Sequence, residues 1–142
     1  MAANRTRAAG ASAQILVVDN DARVRAALCA LIGSWPGISV VGEAASSSAA
    51  CEADEALCPD VVVLDILLPT ADAGLEVLRR LSASGRPVVA LSIRDGLRTA
   101  ALAAGAAAFV EKYAGPDALL ETLRDLAGVP APDSGPGRSG AG

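Results

Sequence analysis

Val61-Val62-Val63-Leu64 is an unbroken apolar run, mostly β-branched, that closes on a carboxylate, Asp65. Such a run predicts a strand buried on both faces, with the aspartate at its C-terminal end. Ile15-Leu16-Val17-Val18 followed by Asp19 repeats the pattern earlier in the chain. After it, Val24, Leu28, Leu31 and Ile32 recur at helical spacing and predict an amphipathic helix over 22–34. Asn20 or Asp21 can cap it, and Gly33, Pro36 and Gly37 stop it. A short second strand is expected over 38–41. Ser46-Ser47-Ser48 can cap a helix over 48–57, which Pro59 ends. Past Asp65, Pro69 and Gly74 predict a loop over 66–74, and Leu75, Leu78 and Leu81 mark a third helix. Val88 to Leu91, ending in Ser92, predicts a fourth strand, and Leu97, Ala101 and Ala104 share one side of a helix over 94–104. A fifth strand over 107–111 precedes Lys112. Pro116 suits the first turn of a last helix, with Leu119, Leu120, Leu123 and Leu126 as its buried stripe.

Strands alternating with helices in this way predict an α/β fold, a five-stranded doubly wound parallel sheet. Strand order 2-1-3-4-5 is the common solution for five units, and it sets the first and third strands side by side at the switch point. The expected organisation is a flexible arm over 1–13, one domain over 14–127 and a disordered Gly/Pro tail or linker over 128–142. The tail contains a formal G-x-G-x-x-G, but no strand precedes it and no helix follows, so it is not a dinucleotide fingerprint.

Composition narrows the chemistry. The 142 residues include no histidine. That excludes Ser/His/Asp and Cys/His triads, His-ligated zinc and a phosphohistidine carrier. Carboxylates, hydroxyls, lysine and the backbone are left. Cys29, Cys51 and Cys58 have no metal-ligand spacing and read as small buried hydrophobes. With 52% hydrophobic residues and a single Trp, Tyr and Phe, the core must be built from aliphatic side chains. A net charge of −4 argues against direct nucleic-acid binding. No apolar run is long enough to span a bilayer, and no signal peptide is evident. The expected location is the cytoplasm.

In open α/β sheets, ligands bind beyond the carboxyl ends of the strands. Asp19, Asn20, Asp65, Ser92 and Lys112 all fall at such ends. Taken singly each has an ordinary role: helix cap, turn former, loop serine, solvated lysine. Taken together they make a carboxylate pocket suited to Mg²⁺, with a hydroxyl and an ammonium able to hold phosphoryl oxygens. An aspartate can itself form an aspartyl phosphate.

These residues resemble the receiver domain of two-component response regulators, over about 14–127. The motifs are Ile15-Leu-Val-Val-Asp19-Asn20-Asp21, Val62-Val-Leu-Asp65 with Pro69, Ala90-Leu91-Ser92, and Phe109-Val-Glu-Lys112. Val40-Val-Gly-Glu-Ala44 and Lys112-Tyr-Ala-Gly-Pro116 further resemble the branch with helix-turn-helix output domains. The resemblance implies a flavodoxin-like fold and a phosphoacceptor, Asp65, that takes its phosphoryl group from a sensor histidine kinase. It implies Mg²⁺ on Asp19, Asp65, the Leu67 backbone carbonyl and Asn20, and phosphoryl binding by Ser92 and Lys112. It also implies a switch in which Ser92 moves inward, Phe109 rotates in, and the surface of the fourth helix, fifth strand and fifth helix changes. That surface is the expected site of any homodimer. On this reading the chain is no enzyme, beyond assisting its own phosphotransfer and dephosphorylation.

The chain departs from the family pattern in places. Asn20 stands where a second acid is usual, which predicts weaker Mg²⁺ binding. Ile93 replaces a small residue beside Ser92 and is expected to screen access to Asp65. The loop after Asp65 is one residue longer, and Tyr113 replaces a common proline. Two other readings follow from the same residues. One is a pseudo-receiver, a protein-interaction module that works without phosphorylation. The other is a small haloacid-dehalogenase-like phosphatase with Asp19 as nucleophile and Asp21 as acid/base.

Overall fold

The computed structural model describes residues 12–130. Five parallel strands form one sheet in the order β2-β1-β3-β4-β5. The strands are β1 (Ala13–Val18), β2 (Ile38–Ala44), β3 (Val61–Asp65), β4 (Val88–Ser92) and β5 (Ala108–Glu111). The helices between them are α1 (Ala22–Gly33), α2 (Ser47–Leu57), α3 (Ala71–Ala83), α4 (Arg98–Ala103) and α5 (Pro116–Ala127). This is the expected doubly wound sheet.

The apolar runs are unbroken because both sheet faces are covered. Leu16, Val18, Val62, Leu64 and Ala90 point to one side, where Ala50, Leu78 and Ala101 bring α2, α3 and α4 against them. Ile15, Val17, Val61, Val63 and Val89 point to the other, against Ile32 of α1 and Leu119 and Leu123 of α5. Alternate residues of one strand therefore serve two cores, and every position must be apolar.

Several elements differ from the sequence pattern. Strand β2 runs on to Ala44 because β1 pairs with it through Val18. Helix α3 starts at Ala71, inside the stretch expected as loop, with the Thr70 hydroxyl accepting from the Ala73 amide at 3.2 Å. Gly74 lies inside that helix, where a Cβ would stand 1.7 Å from the Ile66 carbonyl oxygen. This glycine permits close helix–loop packing rather than breaking the helix. The fourth helix opens with a 3₁₀ turn, Asp95–Leu97, and only then becomes α-helical; Gly96 in that turn disfavours an α start. Cys58 is exposed, correcting its reading as a buried hydrophobe. It ends α2 in the left-handed region at φ 46°, beyond the helix residues Ala50 and Asp54 that pack inward, and its thiol donates to the Glu55 carbonyl at 3.6 Å. Cys29 and Cys51 are half-buried.

Most of the expected arm and tail lies outside the described residues. Ala13 belongs to β1, and Gly128 closes α5 at φ 72° while Val129 packs with Trp35 against the second core. At the N-terminal rim of the sheet, Arg86 donates through Nε to Asp54 at 2.6 Å and through Nη1 to the Pro59 carbonyl at 2.8 Å. That pair ties α2 to the turn before β4. No helix of the described residues is long and apolar enough to cross a membrane.

Candidate functional site

The register decides what meets at the C-terminal rim. Val18 pairs with Leu64, so the residues that follow, Asp19 and Asp65, emerge side by side. Asp65 pairs with Leu91, and Ser92 with Glu111, which brings Ser92 and Lys112 to the same edge. Asp19 and Ser92 are fully buried and Asp65 is 6% exposed.

Lys112 Nζ donates to Asp65 Oδ2 at 2.8 Å and to Asp19 Oδ2 at 3.2 Å. The other oxygen of each carboxylate is held by backbone. The Asp21 amide donates to Asp19 Oδ1 at 2.9 Å, and the Leu67 amide to Asp65 Oδ1 at 3.0 Å. Both acids thus turn one oxygen toward a single cation, which here is the ammonium. That donor set fits a divalent metal: two carboxylates within reach of one point.

Burial raises the Asp19 pKa, and the Asp65 charge adds to it. The Asp21 amide and Lys112 pull the other way but do not cancel the rise. Burial works to lower the Lys112 pKa, but its hydrogen bond to Asp65 and the two carboxylate charges leave it raised overall. Lys112 is also the only lysine in the chain.

Ser92 Oγ accepts from the Arg94 amide at 3.0 Å, and the Ser92 carbonyl accepts from the Lys112 amide at 2.9 Å, so the ends of β4 and β5 are tied. Ile93, 53% exposed, and Tyr113, 85% exposed, stand at the rim directly after Ser92 and Lys112. Asn20 is exposed beside Asp19. Asp21 turns away from the pocket: its carboxylate accepts from the Arg23 and Val24 amides at 2.9 and 3.2 Å and caps α1. Phe109 does not line the pocket. Its ring is buried in the first core, with the Arg98 guanidinium carbon 4.8 Å from the ring centroid.

Sequence reasoning missed Arg25, whose Nη1 donates to the Asp19 carbonyl at 2.7 Å. The available signal was an arginine one turn beyond the Asp21 cap. It also missed an apolar groove of about 410 Å³ beside Lys112, lined by Leu28 and Leu31 of α1, Tyr113, and Pro116 and Leu119 of α5.

A family model described as the response regulator receiver domain matches residues 15–124. The chain belongs to this family. The receiver is 37% identical over 119 residues to a protein-glutamate methylesterase/protein-glutamine glutaminase of Halalkalibacterium halodurans, covering 80% of this chain and 34% of that protein. It is 39% identical over 132 residues to the response regulator MprA of Mycolicibacterium vanbaalenii, covering 90% of this chain and 56% of MprA. Among solved structures, the response regulator domain of Thermotoga maritima CheB superposes with a TM-score of 0.74 at 30% identity, covering 84% of this chain and 99% of that one. The receiver thus spans between a third and a little over half the length of these curated relatives. The family match and the capping role of Asp21 disfavour the phosphatase reading, which needs Asp21 as an acid/base.

Proposed function

We propose that this receiver accepts a phosphoryl group on Asp65 from the phosphohistidine of a sensor kinase. A carboxylate oxygen of Asp65 attacks phosphorus, the P–N bond breaks, and its electron pair returns to the imidazole. The product is an aspartyl phosphate. The observation that carries this reading is the ammonium of Lys112 shared by Asp19 and Asp65. On phosphorylation Lys112 leaves that pairing to hold a phosphoryl oxygen, and the Ser92 hydroxyl donates to another. The residues that would hold Mg²⁺ are Asp19, Asp65, the Leu67 carbonyl and Asn20. When bound, the ion supplies neutralisation of charge on the transferring group.

Movement of Ser92 toward the phosphoryl group pulls on the segment through Arg94, whose amide it accepts. The 3₁₀ turn and α4 follow directly, which supports α4, β5 and α5 as the responding surface and the place of a phosphorylation-driven homodimer. The apolar groove suits the docked donor, because Lys112, which lines it, also binds the acceptor carboxylate. The motifs over 40–44 and 112–116 support a transcriptional output through a helix-turn-helix domain, and membership of the receiver family supports a cytoplasmic setting.

The test is incubation of the full chain with acetyl phosphate and Mg²⁺, read by intact mass. One phosphoryl mass gain is expected, absent in Asp65→Asn. No gain in the wild type overturns the proposal and leaves the phosphorylation-independent interaction module. Ile93 lies at the rim, so Ile93→Ala is expected to speed labelling several-fold. Equal rates would show that Ile93 does not limit access.

A further inference from the structure

We infer that Arg25 is a positioning residue that aims the Asp19 carboxylate at the cation site; the inference rests on the metal-dependent phosphoacceptor reading above. Arg25 sits one turn into α1, its own amide bonded to the Asp21 carbonyl at 2.9 Å. Its side chain folds back over the β1–α1 turn. Nη1 donates to the Asp19 carbonyl at 2.7 Å, and Nε donates to Glu43 Oε1 of β2 at 3.0 Å. The Arg25 side chain is 18% exposed and that of Glu43 50%.

The Asp19 carbonyl lies one residue beyond the last paired residue of β1, Val18. A buried carbonyl at that point needs a donor, and the guanidinium is one. Asp19 is then held along its whole length. Its amide donates to Ala44 at 3.1 Å, its carbonyl is gripped by Arg25, and Oδ1 takes the Asp21 amide. The Ala44 and Arg25 bonds fix the backbone from which the carboxylate projects, and the Asp21 amide on Oδ1 then sets the direction of Oδ2. The demand is unusually high in this chain. With Asn20 in place of a second acid, Asp19 and Asp65 carry all the carboxylate charge at the site, so a misaligned Asp19 has no substitute. Glu43 balances the guanidinium, so Arg25 holds the turn without opposing a bound cation.

Positioning and simple charge repulsion predict opposite signs. If Arg25 acts only as a nearby positive charge, removing it tightens Mg²⁺ binding. If it positions Asp19, removing it weakens binding, by roughly tenfold for a lost outer partner of a metal ligand. The experiment is an Mg²⁺ titration of the full chain followed by amide chemical shifts, for wild type, Arg25→Met, Arg25→Lys and Glu43→Gln. Weaker binding in Arg25→Met is expected, with partial rescue in Arg25→Lys and a smaller loss in Glu43→Gln. Metal-free hydrogen exchange at the Asp21 amide is expected to speed up in Arg25→Met. Labelling by acetyl phosphate should need more Mg²⁺ and recover at saturation.

Unchanged or tighter Mg²⁺ binding in Arg25→Met, with Trp35 fluorescence showing a folded protein, overturns the inference. If Arg25→Met does not fold, wild-type affinity in both Arg25→Lys and Glu43→Gln overturns it. A wild type that binds Mg²⁺ but takes no phosphoryl group overturns the phosphoacceptor reading alone, and Arg25 is then judged on affinity. A wild type that binds no Mg²⁺ overturns both.

Discussion

The surroundings of Asp19 disfavour its charge. Burial and the neighbouring Asp65 both raise its pKa, and only the Asp21 amide and Lys112 offset them. Asn20 bears on that balance because it adds an oxygen beside Asp19 without adding charge. Restoring an acid there, Asn20→Asp, is expected to tighten Mg²⁺ binding by roughly tenfold, since ligand charge count tunes affinity at oxygen sites. Without metal the same variant should be less stable than wild type at neutral pH, because a third carboxylate joins two that share one ammonium. Isothermal titration and thermal unfolding check the two halves. Equal Mg²⁺ affinity in the two proteins would mean that residue 20 lies outside the metal's reach. Asn20 was legible in the sequence because it follows the β1 aspartate directly. Arg25 was legible only as an arginine one turn beyond the Asp21 cap, and its bend back onto the strand end depends on the tertiary fold.

At the level of elements, the junction of β3 and α3 shows how a residue type can be read correctly and its role missed. Gly74 looks like a loop former beside Pro69, yet it lies on the first turn of α3 against the Ile66 carbonyl. Alanine is the better helix former by about 1 kcal/mol, so propensity alone predicts that Gly74→Ala stabilises. The 1.7 Å approach says otherwise. Relieving it must move α3 or the backbone that follows Asp65, and overpacking of this kind costs about 1–3 kcal/mol. Gly74→Ala is expected to lower the urea midpoint, and an increase would show that the helix shifts freely. The helix at 94–104 was legible from its alanine-rich side, but its 3₁₀ opening depends on how Ser92 and Arg94 are tied at the end of β4. The exposed cap at Cys58 likewise depends on where the chain must turn to enter β3.

For the molecule as a whole, the shared ammonium ties sheet stability to pH. Lys112 is raised above its ordinary 10.5 in the fold. Its stabilising contribution is therefore complete below 10.5 and is lost as pH climbs through the higher folded value. Asp19 is raised above 3.8, so the fold prefers its neutral form, and its contribution falls as pH rises from 3.8 through the folded value. Urea midpoints are expected to decline in the alkaline range above 10.5. Lys112→Met should lose the part of that decline that belongs to residue 112 and be less stable than wild type at neutral pH, where two buried carboxylates are left without their cation. An alkaline decline of equal size in both proteins would assign it to other groups.

The sequence by itself determined the strands, the order in which helices separate them, and the residues that stand at the strand ends. Those are local matters, set by apolar runs, breakers and the chemistry of single side chains. Only the tertiary structure decided how the ends combine. Lys112 lies 93 residues from Asp19 and 47 from Asp65, yet one ammonium holds both. The same register sends Asp19 into the pocket and leaves Asp21 to cap α1. It buries Phe109 on the far face and folds Arg25 onto the β1 end. These outcomes depend on which strands pair and at what offset, and no periodicity in the chain encodes the distance between two side chains on different strands.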